Sequence, residues 1–214
     1  MVMGMRLNKR EIMKSLRESL FDDDLVTKNI MYYPKTKDEL IDCIKDQLNI
    51  QGLDANLNII DVSKITDMSY LFHELNIKNI DISEWDVRKV KDMTCMFYNC
   101  ESFNSDLSKW DVRNVKNMKD MFCNCESFNS DLSKWDVSKV KDMRFMFYGC
   151  TSFNSDLSKW DVSKVKDMTY MFCNCESFNS DLSKWDVSNV TNMNGMFYEC
   201  KNLKKIPDWY HEES

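Results

Sequence analysis

Glycine and proline are scarce, at 4 and 2 residues in a chain of 214, against averages of roughly 7% and 5%. Collagen-like chains, linker-rich chains and glycine-loop nucleotide folds are thereby excluded, and the turns must be made by other residues. Histidine is scarcer still. His73 and His211 are the two in the chain, and no G-x-S-x-G, H-E-x-x-H, P-loop or G-x-G-x-x-G accompanies them. No apolar run approaches the roughly 18 residues that a membrane span needs. The opening stretch MVMGMRLNKREIMKSLRESL is broken by charge where a signal peptide needs an unbroken apolar segment. Positive charge is not in excess either: 29 Lys and Arg stand against 35 Asp and Glu, for a net charge of -6. That balance argues against a nucleic-acid backbone or an anionic membrane as the main partner. Together these absences suggest a soluble, intracellular, cytoplasmic monomer, acting in a host cell if the source is viral. What is present is enough for a packed core, with 43% hydrophobic and 12% aromatic residues, so wholesale disorder is excluded.

Periodicity organises the rest. The segment FNSDLSKWDV begins at Phe103, Phe128, Phe153 and Phe178, always 25 residues apart. In that register Trp85, Trp110, Trp135, Trp160 and Trp185 form one column, with Ile60 one period earlier. Met68, Met93, Met118, Met143, Met168 and Met193 form a second, Phe72, Phe97, Phe122, Phe147, Phe172 and Phe197 a third, and Cys100, Cys125, Cys150, Cys175 and Cys200 a fourth. These columns predict a stacked core. Residues 57–206 read as the repeat array, 1–56 as a helical N-terminal segment and cap, and 207–214 as a C-terminal cap or tail.

Within one repeat, Trp110 and Val112 alternate with Asp111 at the strand period of two. Val115, Met118, Met121, Phe122 and Cys125 follow at the helical spacing of three and four. Asp67, Asp92, Asn117, Asp142, Asp167 and Asn192 stand where helix N-caps belong. Glu74, Asn99, Asn124, Gly149, Asn174 and Glu199 are mostly types that tolerate the left-handed conformation ending a helix. The predicted fold class is therefore α/β: a right-handed, leucine-rich-repeat-like solenoid of about six 25-residue strand-helix repeats. Its N-terminal cap is expected to be helical. Asn8 with Glu11 and Thr36 with Glu39 have capping-box spacing, leading into amphipathic helices through Ile12, Leu16 and Leu20 and through Leu40, Ile44 and Leu48.

The pattern W-D-V-S-x-V-x-D/N-M-x-x-M-F-x-x-C-x-S-F-N-x-D-L resembles the BspA-like leucine-rich-repeat group, specifically the 25-residue repeat of the Mycoplasma lipoprotein-associated family. The stretch from Pro34 through residues 57–68 is similar to the lead-in of those arrays, and the resemblance covers roughly residues 34–206. It implies a leucine-rich-repeat-like solenoid of the kind found in surface and adhesion proteins of bacteria and protists and in proteins of large DNA viruses. It implies no chemistry and no cofactor.

The cysteines read as reduced core thiols. Cys123 with Cys125 and Cys173 with Cys175 lie two rungs apart, about 10 Å, too far to share one zinc ion. Cys123 and Cys173 share a column with Tyr98, Tyr148 and Tyr198, which suggests partial exposure. Nearly every polar residue of the array belongs to a row, where an enzyme needs a unique constellation, so no catalysis is expected. The informative rows are the outward ones. Asp61, Asp86, Asp111, Asp136, Asp161 and Asp186 lie between the buried Trp and Val. Glu84, Lys109, Lys134, Lys159 and Lys184 precede the Trp, and Arg88, Arg113, Ser138, Ser163 and Ser188 follow the Val. Carboxylates one rung apart repel by about 1 kcal/mol per pair even in water, which the basic rows offset. The expected function is non-catalytic binding of a protein partner on this charge-striped sheet face, with a structural spacer or assembly protein as the alternative. Calcium on the Asp row is a lesser alternative, lacking the Gly-rich turns of calcium-binding solenoids.

Overall fold

The repeat closes on itself through tight turns. In the copy that begins at Leu107, Trp110 N–H donates to Leu107 O at 3.1 Å, Val115 to Val112 at 2.9 Å and Met121 to Met118 at 3.2 Å. Cys123 then donates to Asp120 at 3.2 Å, Cys125 to Phe122 at 3.0 Å and Phe128 to Cys125 at 3.1 Å. Between these turns Asp120 and Asn124 take left-handed backbone angles, with φ 55° and 58°. The same two positions are left-handed in every copy, from Tyr70 and Glu74 to Gly195 and Glu199. With left-handed residues at these two positions, every second amide of the segment faces the next rung. Met118, Asp120, Phe122 and Asn124 accordingly donate to Asp142, Arg144, Met146 and Tyr148 of the next rung at 2.7–3.1 Å. The chain is thus a stack of turn-built rungs, seen here in a computed structural model that describes residues 31–211.

This corrects the α/β, strand-helix solenoid predicted from the spacing. Among the described residues the one helix is α1, Lys37–Gln51, and chain pairing is limited to isolated parallel bridges such as Asp92 with Asn117 and Asn117 with Asp142. Two physical reasons account for the difference. Residues spaced at three and four also describe consecutive three-residue turns, and a left-handed residue every fourth position interrupts any right-handed helix. The alternation of Trp110, Asp111 and Val112 is real, since both apolar residues are buried, but the backbone around it is spent on its own turns. Side chains make many of the inter-rung bonds instead. Trp135 Nε1 donates to Leu107 O at 3.0 Å, and Cys150 Sγ to Phe122 O at 2.9 Å. Leu132 N–H donates to Ser155 Oγ at 2.8 Å, and Asn154 N–H to Asn129 Oδ1 at 2.9 Å. The expected N-cap row closes turns rather than helices: Asp92 Oδ1 accepts from Thr94 N–H at 2.8 Å, and Asn117 Oδ1 from Lys119 N–H at 3.1 Å.

The apolar columns pack as the register predicts. Trp110 lies over Trp135 with ring centroids 6.5 Å apart and planes 2° from parallel, and Phe97, Phe122 and Phe147 stack at 5.5 and 5.6 Å. Trp209 extends the Trp stack at 6.3 Å from Trp185 and donates Nε1 to Leu182 O at 2.9 Å. It stands 24 residues after Trp185 rather than 25, and that one-residue slip hid it from the column arithmetic.

At the other end Thr36 caps α1. Its hydroxyl accepts from Glu39 N–H at 3.2 Å, the N-cap half of a capping box, while Glu39 Oε2 accepts from Lys35 N–H at 2.6 Å, one residue before the cap. Leu40 and Ile44 are buried against the core that also holds Leu57, Ile60 and Val62. Tyr32 pairs with the first rung, donating its N–H to Ile59 O and accepting from Asp61 N–H, both at 2.8 Å. The helix expected from Ile12 to Leu20 lies outside the described residues.

Candidate interaction surface

No sheet underlies the striped face. The rows stand instead on the link between two turns, one closed from 107 to 110 and the other from 112 to 115. Their Asp members serve those turns. Asp86 Oδ1 accepts from Arg88 N–H at 3.2 Å, Asp111 from Arg113 at 3.3 Å, Asp136 from Ser138 at 3.1 Å, Asp161 from Ser163 at 3.0 Å and Asp186 from Ser188 at 3.0 Å. Two are also clamped by their own arginines, Asp86 by Arg88 at 2.8 Å and Asp111 by Arg113 at 2.7 Å. Lys109 reaches back one rung to Glu84 at 2.8 Å. Lys134, Lys159 and Lys184 are exposed. The structure therefore brings the predicted rows together on one side of the stack and gives the Asp row a backbone duty that the sequence pattern did not reveal.

The turn bonds perturb the acids. The hydroxyl and then the amide of the serine two positions on hold Asp106, Asp136 and Asp186 below the usual carboxylate range, while the amide leads for Asp131 and Asp156. Asp86 is lowered first by its side-chain bond to Arg88. A carboxylate depressed in the folded state contributes stability that is fully present above its unfolded value, about 3.9, and lost as the pH falls through the folded one. Burial acts oppositely on Asp120, raising it against the pull of Lys119, so its contribution belongs to low pH. With nine depressed acids, Asp67, Asp81 and Asp181 among them, against one raised, the melting temperature is expected to fall steeply as the pH drops below about 4. Melting followed by circular dichroism across that window checks this, and a pH-independent midpoint would contradict it.

Burial keeps the core thiols protonated. Burial pushes Cys100, Cys123 and Cys200 up to about 12, and Cys125, Cys150 and Cys175 also lie well above the usual value. Cys123 and Cys173 are 5% and 3% exposed, which corrects the partial exposure inferred from their shared column with tyrosine. Among the described residues no group of three His, Cys, Asp or Glu is placed to hold a metal ion.

One basic feature went unread in the sequence, although the same column arithmetic finds it. Lys64, Lys89, Lys139 and Lys164 form one row, and Lys91, Lys116, Lys141 and Lys166 another, all exposed. Arg88, Lys89, Lys91, Lys116 and Lys139 line a shallow groove across neighbouring rungs.

These features define a class, a stack of 25-residue turn-built repeats with charged rows in fixed register. Residues 45–144 and 130–213 match the family model described as a Mycoplasma protein of unknown function, DUF285, and the chain belongs to that family. The match supports a Mycoplasma-type repeat and stops short of the BspA-like leucine-rich group. No curated protein and no solved structure matches the chain. No helix among the described residues is long and apolar enough to cross a membrane.

Proposed function

We propose that this chain is a non-catalytic protein-interaction scaffold. Its contact surface is the charge-striped side formed by Asp86, Asp111, Asp136, Asp161 and Asp186 with Lys109, Lys134, Lys159, Lys184, Arg88 and Arg113. The observation that carries this reading is register: amide bonds from each rung to the next, as from Phe122 to Met146 at 2.9 Å, hold those rows at a fixed spacing. Rigid charge stripes suit the selection of one partner and one alignment over others. The resemblance to BspA-like repeats, found in surface and adhesion proteins, points the same way. The alternative, a structural spacer, is favoured by the clamping of Asp86 and Asp111 by their own arginines.

Changing Asp111, Asp136 and Asp161 to Asn separates the two. Asparagine retains the Oδ1 that each turn amide needs, so the fold should survive while three negative charges are lost. A photo-crosslinking residue at Ser138, on the same face, is expected to give a discrete adduct in the native host, and the triple variant is expected to lose it. A crosslinker at Asn154, outside the stripe, should give none. Absence of any adduct at 138, or an adduct unaffected by the triple change, would select the spacer.

A further inference from the structure

Two rows of charge that form no ion pair among the described residues lie on the same rungs. Lys91, Lys116, Lys141 and Lys166 are consecutive members of a backbone ladder: Lys116 N–H donates to Lys91 O at 2.8 Å, Lys141 to Lys116 at 2.9 Å and Lys166 to Lys141 at 2.8 Å. Each side chain is exposed, and none takes part in an ion pair among the described residues. Ten residues earlier in each rung stand Asp81, Asp106, Asp131 and Asp156. Their Oδ1 atoms accept from the amides of Ser83, Ser108, Ser133 and Ser158 at 2.9–3.1 Å, and they too form no ion pair among the described residues. The turns from 107 to 110 and from 112 to 115 lie between the two rows, which mark the two corners where this double turn begins and ends. Rungs bonded backbone to backbone lie about 4.8 Å apart, a spacing at which like charges repel. Lys109, Lys134 and Lys159 act through space on Asp106, Asp131 and Asp156 without closing an ion pair, so each row is a line of one sign with no counterion in direct contact.

We propose that copies of this chain associate side by side, with the lysine row of one copy against the aspartate row of the next. Period carries the choice of partner. An extended acidic peptide places same-face side chains about 6.6 Å apart, and a nucleic-acid strand carries one phosphate per about 3.4 Å of axis. Neither stays in step with rungs about 4.8 Å apart. A second copy has the same repeat by construction and supplies four carboxylates at the spacing of four lysines. The contact joins two different surfaces, so it leaves a free lysine row at one side of the assembly and a free aspartate row at the other, and further copies can add. This goes beyond the partner surface proposed above, which occupies the stripe between the two corners.

The test uses sedimentation velocity on the full chain. Assembly is expected at about 0.01 M salt, where the Debye length is about 30 Å, and monomer at about 1 M, where it is about 3 Å. A variant with Lys116→Glu, Lys141→Glu and Lys166→Glu should be monomeric at both, as should one with Asp106→Lys, Asp131→Lys and Asp156→Lys. An equimolar mixture of the two should assemble, because each variant then offers the other an oppositely charged row at both corners. A milder variant, with the same three lysines changed to Gln, should also be monomeric and guards against misfolding of the reversals. Monomeric wild type at low salt, assembly that persists at high salt, or wild-type behaviour of the Gln variant would overturn the proposal. So would a monomeric wild type whose lysine row instead captures anionic lipid vesicles or polyphosphate.

Discussion

Trp135→Ala is expected to cost about 3–5 kcal/mol, the range for removing a large aromatic from a packed core. Trp135 is 3% exposed and stacks on Trp110, with Phe122 6.4 Å away on its flank. Its indole also donates to Leu107 O at 3.0 Å. Truncation therefore leaves a cavity and a buried carbonyl without its donor, and an orphaned polar group adds about 1–3 kcal/mol of its own. Trp135→Phe separates the two contributions, since it keeps most of the stacking and loses the N–H. The phenylalanine variant should lose less than half as much stability as alanine. Repeats that contact only their neighbours behave as a one-dimensional array, so the alanine variant is expected to unfold in two steps, one for each side of the damaged rung. Equilibrium denaturation checks both points, and a loss under about 1 kcal/mol would remove Trp135 from the stack.

Opening the N-terminal end is the second large perturbation. Leu40 and Ile44 are 0% and 1% exposed, and α1 covers the first rung through them. Changing both to Asp buries two unpaired carboxylates, a mechanism in the class that exceeds about 4 kcal/mol. The helix is expected to detach, exposing Leu57, Ile60 and Val62. An uncovered end of a hydrogen-bonded stack is a template for association, so the variant should aggregate, and deletion of residues 1–56 should do the same. Light scattering with thermal melting measures this. A monomeric variant that melts like the wild type would show that α1 is not the cap.

The physics of the candidate surface explains why its rows were legible and their duties were not. The Asp86, Asp111, Asp136, Asp161 and Asp186 column follows from counting alone. That each Oδ1 accepts a turn amide two residues on does not, because a strand with outward Asp and a turn closed by Asp share the same letters. The lysine ladder at 91, 116, 141 and 166 follows from the same count, each member standing directly after a valine of the repeat. Its lack of counterions is a matter of distance in space and so is visible only in the folded chain.

What the sequence determined by itself is the period, the identity of the buried columns and the cap on α1. A 25-residue repeat puts like residues in like places whatever the local backbone does, and Thr36 with Glu39 is a contact within four residues. What only the tertiary structure decided is the kind of rung. Spacings of three and four fit a helix and a chain of tight turns equally well, and the choice rests on the left-handed residues at 120 and 124 and their counterparts. At Asp120 and Cys95 those positions carry residues with a Cβ, for which the left-handed conformation costs roughly 1–2 kcal/mol. It is held because each such residue sends its amide to the rung above, Cys95 to Lys119 O and Asp120 to Arg144 O, both at 2.9 Å. That bond exists only once the neighbouring rung is in place, so nothing within one repeat could have announced it.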